Sequence, residues 1–176
     1  MGIITLIYAV IAFVHLGSLK APETEYSVVT QGAVVADMGQ DVSLGKMAEY
    51  LGYQNNPKYL VDYSSDGTNW NTLYGADNPW DAGSVFCWNY TDLNVTARYV
   101  RISPAADTTN DSIMELVFTD TEGNVVTPVN AGDYSTLFDE QDLYAARATN
   151  LNGTYFDEIY HGRTAYEMIH KLYCYE

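Results

Sequence analysis

The chain has 176 residues, a formal charge of −15 and only eight Lys and Arg. That length suits one ordinary domain with extensions. The scarcity of basic residues argues against nucleic acid and against docking on an anionic lipid surface. Sixteen Tyr and three Trp are many for this length, but such rings suit half-buried strands, carbohydrate-facing surfaces and membrane interfaces alike.

The first element is apolar. Ile3 to Leu19 contains no Asp, Glu, Lys or Arg, and about 20 such residues span a bilayer as a helix. No basic residue precedes the run and "HLGSLKAPET" is a poor cleavage site, which sets it apart from a signal peptide. We read residues 1–20 as a transmembrane helix or the end of one, with a buried core helix as the alternative. His15 falls near the far interface. Lys20, a single charge on the C-terminal side, favours a cytoplasmic location for the residues beyond it. Pro22 and the acids of "KAPETEY" then mark a linker at 21–27.

Between Val28 and about residue 130 the pattern changes to short β-type runs. "AVVADMGQDV" reads as a strand ending at Gly39. "KYLVDYSSDGTNWNTLY" alternates Tyr59, Val61 and Tyr63, turns at Asp66-Gly67 and resumes near Trp70; Asp-Gly between alternating runs is a strong hairpin signal. "ARYVRIS" puts Val100 and Ile102 on one face and Tyr99 and Arg101 on the other. "SIMELVFTDTEGNVV" is a strand, a turn at Gly123 and a short return. Helical periodicity is missing, so the fold class is mainly β, an antiparallel sandwich or jelly roll. Cys87 and Cys174 fit no ligand spacing and read as two unlinked thiols. The N-x-Ser/Thr sequons at Asn89, Asn94, Asn110 and Asn152 matter only in a eukaryotic secretory host.

From about Tyr155 the periodicity becomes helical. Tyr155, Ile159, Gly162, Tyr166, Ile169 and Tyr173 make one apolar face, with Thr154 and Asp157 spaced as a capping box. Asp157 and His161 stand one turn apart, off that stripe, where a carboxylate could cap the helix, act as a general base or hold a metal. In the loops, Tyr53 of "GYQNNP" and Trp80 of "GADNPWDAG" are candidate sugar-stacking rings. The alternative is that they simply cover the sandwich end.

These motifs carry two resemblances. "YLVDYSSDGTNWNTLY", "ARYVRISP" and "MELVFTDTEGNVV", in that order, resemble the discoidin, or coagulation-factor type C, domain, also called galactose-binding-like. This implies a jelly-roll sandwich at 28–130 whose end loops bind sugars, lipids or proteins. In that family Trp70, Trp88, Tyr99 and Arg101 are framework positions. "YFDEIYHGRTAYE" in turn resembles the first extracytoplasmic loop of the protein O-mannosyltransferases, a branch of polytopic glycosyltransferases. That resemblance implies Asp157 as the base that activates an acceptor hydroxyl, Glu158 as its partner at the donor or metal end, and roles for His161 and Arg163 in substrate binding. It also implies a polyprenyl-phosphate sugar as donor, a divalent cation in the complete enzyme, an acceptor protein, and a sandwich outside the cell membrane. Residues 131–176 are then an extracytoplasmic loop and amphipathic helix, and the chain reads as a fragment inactive alone. The competing expectation is a membrane-anchored, non-enzymatic glycan-binding module.

Overall fold

A computed structural model describes residues 2–13, 20–53, 57–81, 83–149, 152–154 and 157–172. Its centre is an antiparallel sheet of β1 (Val34–Leu51), β2 (Lys58–Ser64), β3 (Asn71–Tyr74), β4 (Trp80–Asp81), β5 (Trp88–Pro104), β6 (Ile113–Asp120) and β7 (Val125–Val126). The order is β3-β2-β5-β1-β6-β7, with β4 also pairing with β2. The alternation read from sequence holds: Val100 and Ile102 are buried, while Tyr99 and Arg101 lie half-exposed on the other face. There Arg101 pairs with Asp62 at 2.8 Å and stacks on Trp70, 4.2 Å from the ring centre.

Strand β1 does not end at Gly39. It continues to Leu51, with register shifts against β5 between Asp37 and Val42 and between Leu44 and Lys46. Each extra residue bends a strand, which is how one sheet curls around the main core. At the second shift a Cβ on Gly45 would lie 2.6 Å from the Asp120 carbonyl oxygen, so only glycine fits. The hairpin at Asp66-Gly67 is held by the Asp66 carboxylate, which accepts from the Thr68 and Asn69 amides at 2.8 and 2.7 Å. Gly67 there takes φ 72°.

The main core gathers Leu44, Met47, Leu51, Tyr59, Ile102, Ile113, Leu116 and Phe118. It also takes Leu137 and Phe138, from beyond the last strand. Burying each contributes about 1.5–3 kcal/mol, so the chain after β7 completes the sandwich. Asn130 stitches it to β1, accepting from Asp37 N and donating to Val35 O at 2.9 Å each. A smaller cluster of Ala48, Tyr50, Trp88, Met114 and Val117 lies apart from this core, capped by Tyr90, Tyr144, Ala145 and Tyr166. The C-terminal segment therefore contributes to both clusters.

The expected linker is also built in. Tyr26 is buried and exchanges two backbone hydrogen bonds with Ile113, and the Asp111 carboxylate accepts from Ser27 Oγ and the amides of Val28 and Val29.

The expected transmembrane helix is not shown among the described residues. Helix α1, Gly2–Phe13, has 12 residues, about 18 Å at 1.5 Å per residue, against a hydrocarbon core of about 30 Å. Among the described residues no helix is long and apolar enough to cross a membrane. The rest of the expected span, 14–19 with His15, lies outside the described residues, as do Tyr155, Tyr173 and Cys174.

Helix α2 runs Asp157–Ile169. The Thr154 hydroxyl donates to the Val85 carbonyl, tying the helix entrance to the sandwich. The helix ends in a Schellman turn: Leu172 N bonds Glu167 O at 2.8 Å and Lys171 N bonds Met168 O at 3.3 Å. Lys171 takes the left-handed φ of 56° where glycine is usual.

Candidate functional site

A hollow of about 620 Å³ opens where five segments meet. Its walls are the strap Lys20–Glu23, Tyr50 and Met114 from the sheet, Phe86 from the loop before β5, and Tyr166, Ile169 and His170 from the end of α2. The volume falls in the range of small-molecule sites. Each wall has a local cause. Tyr50 and Met114 alternate with main-core residues along β1 and β6, so they turn away from that core. Phe86 takes φ 52°, and its amide donates to Leu51 O at 2.8 Å. Left-handed backbone is uncommon for an aromatic residue; here it delivers the ring to Tyr166.

Tyr166 is the hub. Its ring stacks on His170 at 4.1 Å and 22°, stacks on Tyr53 at 5.2 Å, and meets Phe86 at 5.7 Å. Burial pushes the hydroxyls of Tyr166 and Tyr50 up to about 12, so both stay neutral donors at physiological pH. The hollow is thus ring-walled, with charged or titratable groups from Lys20, Glu23 and His170. Such a surface suits a ligand with one apolar face and polar edges.

The F5/8 type C domain profile matches residues 23–117, more than half of the chain. The chain belongs to the F5/8 type C domain family. No curated protein sequence matches it. Among solved structures it is similar to the C-terminal domain of a chitobiase from Bacteroides fragilis, at 22% identity over 62% of this chain and 78% of that one, TM-score 0.46. It is similar also to CBM32-1 from a family 31 glycoside hydrolase from Clostridium perfringens, at 17% identity over 57% and 86%, TM-score 0.41. A glycoside hydrolase matches at 20% identity and TM-score 0.38 over 49% of this chain and 19% of that one, so the chain spans about a fifth of its length.

Within this F5/8 type C domain the expected site residues separate. Trp80 is not a loop ring open to ligand: it pairs in the sheet with Tyr59, is 6% exposed, and packs 5.7 Å from the Tyr59 ring in the main core. The physical reason is a two-residue strand, β4, that the Asn-Pro wording hid. Tyr53 is half-buried against Tyr166, at the margin of the hollow. Asp157, Glu158 and His161 stand exposed on the first turns of α2, away from the hollow. Arg163 is engaged with buried Glu167, Nε to Oε1 3.0 Å. Tyr50, Phe86, Met114 and His170 escaped sequence reading. Tyr166 stood in the apolar stripe, and that stripe was the one signal for this face.

One carboxylate group could be read as a metal site: oxygens of Glu115, Asp139 and Glu140 lie within 4.8 Å of one another. Their partners are protein donors. Glu115 accepts from Glu140 N at 2.8 Å and from Gln141 Nε2. Glu140 Oε2 accepts from the Glu23 and Thr24 amides at 2.7 and 3.2 Å, and Asp139 Oδ1 from Thr24 Oγ1 at 2.9 Å. The cluster ties the strap to β6 without needing an ion. Burial pushes Glu115 up to about 7.

Proposed function

We propose that this F5/8 type C domain binds carbohydrate, and that the ring-walled hollow is where it does so. The observation that carries the reading is the 620 Å³ cleft walled by the rings of Tyr50, Phe86, Tyr166 and His170. Aromatic faces stack on the C–H face of a sugar, and the side chains of Lys20, Glu23 and His170 supply donors and acceptors for hydroxyls. The test is a glycan array probed with the full chain. Binding that falls about fivefold or more in both Tyr166→Ala and His170→Ala supports the site; unchanged binding in both refutes it.

A second reading sets the module in a membrane glycosyltransferase that moves mannose, or a related sugar, from a polyprenyl-phosphate donor to protein hydroxyls outside the cell. The wording "YFDEIYHGRTAYE" favours it, and so does the exposure of Asp157 and Glu158 on a helix whose other side grips the sandwich. Asp157 is then the base at the acceptor, Glu158 its partner, and a divalent cation screens the lipid phosphate. Asp157→Asn in the complete enzyme should cost about 10²–10⁴ in turnover. Asp139→Asn in "LFDEQ" should spare the chemistry; equal small losses at both positions reduce Asp157 to a helix cap.

A further inference from the structure

Strand β1 turns Met47, Glu49 and Leu51 to the same side, and all three are fully buried. Among the described residues neither carboxyl oxygen of Glu49 has a hydrogen-bond partner, and the Tyr59 hydroxyl has none either. Burying an unpartnered charge is costly, so Glu49 keeps its proton while the core is closed. Tyr59 faces it from β2 and Asp111 from the run into β6; burial, with the charges of Glu49 and Asp111, holds the Tyr59 phenol well above its ordinary value. Across the ladders its neighbours are Asn89 on β5 and Leu116 on β6, which carry no charge. From the N-terminal segment, Tyr26 faces Asp111. Asp111 also holds that segment down. Its carboxylate accepts from Ser27 Oγ at 2.6 Å and from the Val28 and Val29 amides at 2.8 and 3.2 Å. Val28, 2% exposed, closes the core there.

We propose that Glu49 is a pH-sensitive latch: when it ionises, Tyr26–Val29 lifts away from Asp111, and the strap Lys20–Glu23 that walls the cleft moves with it. This segment is the one to yield because its backbone meets the sheet at the bridge of Tyr26 to Ile113, whereas β1, β2 and β6 are held by ladders. Local opening follows the weakest attachments. Burial, with the Asp111 charge adding to it, pushes Glu49 from 4.5 up to about 8. The closed state therefore holds a proton that the open, hydrated state releases. Opening grows as pH rises from 4.5 to about 8 and levels off above. The latch does not depend on what the cleft binds.

The test is amide hydrogen exchange of the full chain as a function of pH, with rates corrected for the base-catalysed exchange of an open peptide. The open-to-closed ratio at Val28 and Val29 should rise by up to about tenfold per pH unit between 4.5 and about 8. Val100 and Ile102, on β5 between two neighbours, should stay better protected throughout. In Glu49→Gln the rise at Val28 and Val29 should vanish. Glu49→Leu, an apolar side chain of similar size, gives the same reading where the Gln variant does not fold. Equal protection at Val28 and Val100 at every pH would mean that the domain opens only as a whole, and overturns the latch. A ratio independent of pH in the unaltered chain, or a rise that survives the substitution, overturns it too. Glycan binding is measured separately on arrays, so either idea can fail alone.

Discussion

The ring of Tyr53 lies on the ring of Tyr166, 5.2 Å apart and tilted by 22°. That contact joins the loop after β1 to helix α2, two segments that sequence alone assigns to separate functions. Aromatic pairs contribute about 0.5–1.5 kcal/mol beyond area burial. Tyr53→Ala should therefore raise amide exchange across residues 163–169 by about two- to tenfold and leave β1 and β5 unchanged. Equal exchange in both proteins would show that α2 is held by its other contacts.

Leu137 tests whether the chain beyond β7 belongs to the sandwich. It is fully buried, and its carbonyl accepts from Leu116 N at 3.0 Å. Leu137→Ala should cost about 2–5 kcal/mol in denaturant unfolding. A loss below about 0.5 kcal/mol, the usual size for a surface site, would detach this segment from the core.

Glu49 sets a pH dependence. It is fully buried, and among the described residues neither its oxygens nor the Tyr59 hydroxyl has a hydrogen-bond partner. Burial pushes its carboxyl up to about 8. The folded state then holds a proton the unfolded chain has released, so stability falls as pH rises from about 4.5 to about 8. Glu115, raised to about 7 by burial, acts with the same sign. Asp37 acts oppositely: the Arg98 hydrogen bond lowers its carboxyl, and that stability is lost as pH falls below the carboxylate range. Glu49→Gln should flatten the decline between pH 4.5 and 8 in urea melts. A decline of unchanged slope would mean that Glu49 does not carry it.

Lys171 occupies the left-handed end of α2. Glycine adopts that conformation without a Cβ penalty of roughly 1 kcal/mol. Lys171→Gly should stabilise the last turn by about that amount, seen as slower amide exchange at Leu172. Faster exchange would mean that the lysine side chain contributes more than its backbone costs.

The fold was legible where side-chain period and turn chemistry are local. Asp66-Gly67 and Gly123 marked their hairpins, and Val100 and Ile102 marked the inner face. The continuation of β1 was not legible, because the register shift between Asp37 and Val42, around Gly39, breaks the alternation that reveals a strand. Trp80 misled because a loop-like "ADNPWD" also fits a two-residue edge strand, and only the pairing with Tyr59 distinguishes them. Trp80→Ala should accordingly act on stability, by about 3–5 kcal/mol, rather than on any sugar affinity. The cleft was hidden for another reason: Tyr50, Phe86, Met114 and Tyr166 come from four segments, and no short motif contains that meeting.

The central claim is that sugar enters between the strap and α2. Its most direct test is amide and side-chain NMR of the full chain titrated with a glycan that binds on an array. The account predicts saturable shifts at Phe86, Met114, Tyr166 and His170. Shifts confined instead to Asp62, Trp70 and Tyr99, on the far half of the sheet, would contradict it.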